Sequence, residues 1–185
     1  MSDKPPHETL LERLIEASTF GLDDIEQNRL GKMSGLQRSR LALMTYLYFG
    51  LGALSFVFAG AALWIGAVLS QSLSFIVFLF LTMLGIYGCY YWLRLALPMW
   101  KDVHENTVVR ISGLVHLLYT QLSGRPPTYF IHYKIANKFF DMAFLAPRLF
   151  PEGQTCHAYY TPKSEIIVGI EPTDAAQYRL QMERK

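Results

Sequence analysis

The sequence has no Asp, Glu, Lys or Arg between Leu41 and Leu93, a gap of 53 residues. Helices on the surface of a soluble protein carry charge on their outer faces, so this block excludes an ordinary soluble helix pair. Cysteine is almost absent. Cys89 lies in the uncharged block and Cys156 far outside it, which gives no disulfide framework. No CxxC or HxxxH spacing exists, so the sequence nominates no metal site. No GxSxG picks out a nucleophilic serine, and no glycine-rich loop joins a strand to a helix to cradle phosphate. The opening "MSDKPPHETLLERL" has no basic stretch followed by an apolar one, so no signal peptide is predicted there. A net charge of +2 without a clustered basic patch argues against nucleic acid as a partner. No cofactor is predicted.

The 17 basic and 15 acidic side chains all lie in residues 1–40 and 94–185. Between them the apolar block is more than twice the ~20 residues that span a hydrocarbon core. A single helix of that length would reach about 80 Å, against a core of ~30 Å. Two helices with a turn at Ser70-Gln71-Ser72-Leu73-Ser74 fit. The prediction is a transmembrane hairpin over 41–100, with helices at 41–69 and 75–99 and Pro98 kinking or ending the second. Ser34-Gly-Leu-Gln37 has capping-box spacing, so a short helical lead continues into the first span.

Arg38, Arg40, Arg94, Trp100 and Lys101 fall at the predicted headgroup levels, with Arg94 snorkelling. Tyr46, Tyr48, Tyr87, Tyr90, Tyr91 and Trp92 complete an aromatic belt. Basic residues flank both helices, and the connection has none. The positive-inside rule therefore puts both termini in the cytoplasm, with a bacterial plasma membrane as the default compartment. Ser55 and Ala59, Ala62 and Gly66, and Gly85 and Cys89 repeat small-xxx-small spacing, which suits packing within the hairpin and between protomers.

The soluble parts read differently. Residues 1–40 form an amphipathic helical segment: Leu10, Leu11, Leu14 and Ile15 share one side, and Glu8, Glu12, Arg13 and Glu16 the other. Its acidic polar face favours docking on protein. Asp23-Asp24 starts a second short helix. Residues 101–172 are strand-rich, with strands expected at 107–120, 129–135, 139–144, 154–161 and 165–172, and a bulge or bend at Gly113. Tyr129, Ile131, Tyr133 and Ile135 alternate onto one face. Five short strands joined by hairpin turns predict a small cytosolic β-barrel, SH3-like or OB-like. Residues 173–185 are a tail. The fold class is thus an α+β membrane protein.

"YYTPKSEIIVGIEP" is the most distinctive string. It reads as a hairpin turning at Pro162 and Lys163, and it offers Tyr159, Tyr160 and Lys163 as partner-binding candidates. His116, His132 and His157 with Cys156 make no shared site, because neighbours on a strand point to opposite faces.

The order of parts over 41–172 resembles two groups. NfeD-like proteins join transmembrane helices to an OB-fold and are linked with stomatin-type scaffolds. Small-conductance mechanosensitive channels pass from a pore helix into an Sm-like β-domain as a ring. This chain departs from the channels in lacking a long Gly/Ala-patterned pore helix beyond its second span. The expectation is a non-enzymatic membrane accessory or scaffold subunit, in contact with the lipid bilayer. Its cytosolic domain and amino-terminal helix would assemble with protein, as a homo-oligomer or as part of a membrane complex. The alternative is a homo-oligomeric channel or transporter subunit.

Overall fold

The computed structural model describes residues 21–69, 72–122, 128–143 and 152–173. The expected amphipathic helix near residues 9–20, the turn at 123–127 and the tail beyond 173 lie outside them. The chain divides into two compact units. Ser39–Glu105 forms one, and Met1–Arg38 with Asn106–Lys185 forms the other.

The first unit is made by two long apolar helices, α2 (Gly35–Leu69) and α3 (Ser72–Glu105). The short helix α1 (Leu22–Arg29) precedes them. At ~1.5 Å per residue, α2 and α3 are each about 50 Å long, so both can cross a ~30 Å core. α2 opens on the capping box. Gln37 N–H donates to Ser34 Oγ at 3.2 Å, and Ser34 N–H donates to Gln37 Oε1 at 3.1 Å. The connection to α3 is Ser70-Gln71, shorter than the five residues expected from the polar run. Ser72 and Ser74 belong to the first turn of α3. Pro98 does not end α3; seven more residues follow it. Proline removes one N–H from the ladder, and the bonds on either side hold the helix through it.

The burial pattern of α2 steps in alternating fours and threes. Leu41, Thr45, Gly52, Ala59, Ala62 and Gly66 are buried, and Tyr48 and Ser55 are half-buried between them. On α3 the series runs Thr82, Gly85, Cys89, Trp92, Ala96, Met99. That is the heptad spacing of a left-handed helix pair, here with small residues along its middle. A methyl group placed on Gly85 would come 2.8 Å from Ala59 Cβ, and one on Gly66 would come 2.7 Å from Phe78 Cβ. At Gly85 the two backbones come close because no side chain stands between them, and at Gly66 the Phe78 side chain packs on bare backbone.

The second unit is a curled sheet, a half-barrel of five antiparallel strands with a two-residue sixth. Its strands are β1 (Val109–Leu122), β2 (Thr128–Ile135), β3 (Lys138–Phe140), β4 (Met142–Ala143), β5 (Thr155–Tyr160) and β6 (Ile166–Pro172). They lie in the order β3-β2-β1-β5-β6-β4. β1 is long because it serves two partners: Val109 to Leu114 pair with β5, and Val115 to Leu122 pair with β2. Gly113 sits at this handover. It makes no bulge there; the ladder with β5 runs through it unbroken. A Cβ on Gly113 would fall 2.7 Å from the Ala136 amide nitrogen, so the residue permits a close backbone crossing. The predicted strand at 139–144 divides at Asp141. Its first part lies on β2, and its last part lies parallel on β6. The inner face carries Val115, Tyr133, Ile135, Phe140, Cys156, Ala158, Ile167 and Ile170.

Candidate functional site

Every residue of β6 is buried. A strand of a half-barrel has one face on the core, so something must cover the other. α1 does so. Two cross-strand rows define the surface beneath it. In one, Ser112, His157 and Glu171 stand opposite each other on β1, β5 and β6; in the other stand Arg110, Tyr159 and Gly169.

Glu171 is 1% exposed and is the centre of the contact. Arg29, the last residue of α1, donates from Nη2 to Glu171 Oε2 at 2.6 Å and from Nε at 3.2 Å. Tyr159 donates its hydroxyl proton to Glu171 Oε1 at 2.5 Å. The Glu171 carboxylate raises the pKa of the Arg29 guanidinium through this bond. Burial, and then its bond to Glu171, hold the Tyr159 phenol above its ordinary range. A charge this deep in a protein is tolerated only when paired and hydrogen-bonded on every side. Gln37 adds a second tie, donating from Nε2 to the Val168 carbonyl at 3.0 Å. Asn28 packs over Gly169, where only glycine leaves room: a Cβ would meet Asn28 Nδ2 at 2.7 Å. Both polar atoms of the buried Asn28 amide lack a partner.

At the open edge of this surface, Ser112 Oγ and His157 Nδ1 share a hydrogen bond of 2.6 Å. Burial, and next the positive charge of Arg110, lower the His157 pKa below 6.5. The folded state therefore binds fewer protons here than the unfolded chain, and stability falls as pH drops. The loss begins below the unfolded imidazole value of 6.5 and is complete once the folded group is also protonated. Thermal unfolding of the detergent-solubilised protein, followed from neutral to about pH 5, should show this decline. His157→Gln should flatten it.

The sequence candidates fall in three places. Tyr159 is not a surface for partners: it is 1% exposed, and its hydroxyl is spent on Glu171. Tyr160 is half-buried under the Lys138 ammonium, which lies 4.1 Å above its ring and pairs with Glu165 at 2.8 Å. Lys163 is exposed on the β5–β6 turn. That turn is held by Thr161, whose Oγ accepts the Ile166 N–H at 3.1 Å. Ser55, Ala59, Ala62, Gly66 and Gly85 line the seam between α2 and α3. Trp100 is brought against Tyr46 and Phe49, with centroids at 6.2 and 6.0 Å, and Trp92 stacks on Tyr48. Arg38, Arg94 and Lys101 are exposed, and Arg40 is half-buried. Among the described residues no three of His, Cys, Asp and Glu gather as metal ligands. His132 instead pairs with Asp141 at 2.7 Å.

Sequence reasoning missed Arg29, Asn28 and Glu171 as a set. The signal was faint: a lone Glu171 among apolar β6 residues, 142 positions from its partner. No family model, curated protein or solved structure matches this chain.

Proposed function

We propose that α2 and α3 cross a bilayer as a hairpin and hold the sheet unit at its cytoplasmic surface. In this reading the protein is a non-enzymatic accessory or scaffold subunit of a membrane assembly. The observation that carries the reading is how the sheet unit is tied together. Arg29 precedes the helices and Gln37 lies in the first turn of α2, Glu171 and Val168 follow the helices, and Arg29 bonds to Glu171 and Gln37 to Val168. One folded unit occupies one side of a membrane, so the chain between its halves crosses an even number of times. Two helices of this length supply two crossings.

The helix surfaces support lipid as the solvent. Only 22% and 11% of the most apolar windows of α2 and α3 are buried, unlike the core helices of a soluble protein. Phe56, Val57, Trp64, Phe80 and Met83 are each at least 64% exposed. Such a surface in water is a strong aggregation liability. The parallel pairing of β4 with β6 supports a partly open, OB-like barrel as the form of the soluble unit. The channel reading gains less. Thr45 donates to the Leu41 carbonyl and Thr82 to those of Phe78 and Ala59, while Ser55 faces Gly88 in the seam. These hydroxyls are engaged within and between the two helices.

Cysteine labelling tests the topology. With an impermeant maleimide, Gln71→Cys should react in intact cells, and Lys163→Cys only after permeabilisation. Labelling of both from one side would end the hairpin reading. Reproducible ion flux through liposomes carrying the purified protein would favour the channel.

A further inference from the structure

We propose that the turn Leu30-Gly31-Lys32, with Leu36 and Val109, is a lipid-contacting rim of the sheet unit. It would seat at the headgroup boundary of an anionic bilayer. The proposal rests on the membrane reading above and extends it from the helices to the soluble unit.

Leu30 is 73% exposed, yet it is not on a loose loop. Its N–H donates to the Gln27 carbonyl at 3.0 Å, Gly31 N–H to Asn28 at 3.0 Å and Lys32 N–H to Gln27 at 3.1 Å. Gly31 holds a φ of +76°, which a side chain would strain. Val108 N–H donates to the Gly31 carbonyl at 2.9 Å, which fastens the turn to the start of β1. The flanking Asn28 and Met33 are 2% and 4% exposed. A rigid turn thus holds one leucine out between two buried neighbours. Val109, next to the Val108 that bonds this turn, is 39% exposed, and Leu36, six positions after Leu30, is 51% exposed.

Two observations select lipid as the occupant. The first is continuity with the proposed spans. Leu36 lies three positions before Ser39, and Val109 four positions after Glu105, the two points where the chain passes between units. Helical rise puts Leu36 ~5 Å from its junction, and even extended chain puts Val109 within ~14 Å of the other. The interfacial zone is ~5–8 Å deep on each side of the hydrocarbon, so Leu36 reaches it without a separate docking step, and Val109 starts within a few residues of it. The second is charge. Lys32 is exposed in the turn beside Leu30, and Arg110 follows Val109, while Arg29 is held by Glu171 and Asp102 and Glu105 precede Val109. Apolar side chains next to exposed cations match the boundary of an anionic leaflet.

The test uses the full chain reconstituted in vesicles of phosphatidylcholine with a minority of phosphatidylglycerol. Cysteines replace Leu30, Val57 or Glu152 one at a time in a Cys89→Ala background, where the remaining Cys156 is 0% exposed, and each introduced cysteine carries an environment-sensitive fluorophore. A label at 30 should emit to the blue and be quenched by a nitroxide near the headgroup. One at 57 should be quenched only by a nitroxide deep in the acyl chains. One at Glu152, an exposed acid of the same unit, should stay aqueous. An aqueous label at 30 with a quenched label at 57 overturns the rim and leaves the spans standing. A blue-shifted label at 30 that lipid nitroxides do not quench means a protein covers it, and also overturns the proposal. Aqueous labels at both 30 and 57 would sink the membrane reading itself.

Discussion

Replacing Arg29 by alanine should open the contact between α1 and β6 at a cost of about 3–5 kcal/mol, the range seen when one partner of a buried ion pair is removed. The reason is what remains. Glu171 is 1% exposed, and without the guanidinium its carboxylate keeps only the Tyr159 hydroxyl. Arg29 itself is 31% exposed, so the reverse truncation is milder: in Glu171→Gln the guanidinium rehydrates and the tyrosine keeps an acceptor. That change should cost about 1–2 kcal/mol. The double change Arg29→Met with Glu171→Leu removes both charges and should recover most of the loss. Hydrogen exchange of the β5 and β6 amides in the solubilised full-length protein reads these differences directly. Equal costs for the two single changes would mean the pair is hydrated and does not fasten the helix.

The second large effect is expected in the helix pair. Gly85→Ala should destabilise the hairpin by about 1–3 kcal/mol, and Gly85→Leu by more. The new Cβ would lie 2.8 Å from Ala59 Cβ and 3.0 Å from both the Ala59 nitrogen and the Ser55 carbonyl oxygen. Two of those atoms are backbone and cannot swing aside, so the helices must part. Gly60 is the control. Nothing lies within 4 Å of a Cβ there, so Gly60→Ala should be harmless or slightly stabilising. Spin labels at Val57 and Ile86 should report a longer interhelical distance in the Gly85 variants, and Ala59→Gly should partly restore it. Matching behaviour of Gly85→Ala and Gly60→Ala would place the seam elsewhere.

Local rules carried the parts of the fold that depend on near neighbours. The Ser34–Gln37 capping box, the helix begun at Asp23-Asp24 and the alternation of Ile131, Tyr133 and Ile135 were all legible, because each is decided within a few residues. Helix lengths were read less well. Pro98 has a strong local preference against helix, and the surrounding ladder outweighs it. The half-barrel was legible as five strands, but the switch of the 138–143 segment from β2 to β6 was not. It depends on where the last strand returns, which no local pattern encodes. Tyr159 misled for the same reason. Its neighbours are those of an exposed hairpin tyrosine, and only the arrival of α1 buries it. The heptad seam was readable in principle. Gly52, Ser55, Ala59, Ala62 and Gly66 already step in threes and fours.

The clasp between Arg29 and Glu171 also dictates an order of assembly. The helix that needs a seat is made early, and the strand that provides it is made 142 positions later. Throughout synthesis of the greasy hairpin, α1 must wait as an unpaired cation-bearing segment beside the ribosome. The sheet unit cannot mature until β6 emerges, by which time both long helices have been made. Closure of the clasp is then a signal that synthesis has reached β6, and chains interrupted before it would keep their amino-terminal helix loose and open to proteolysis.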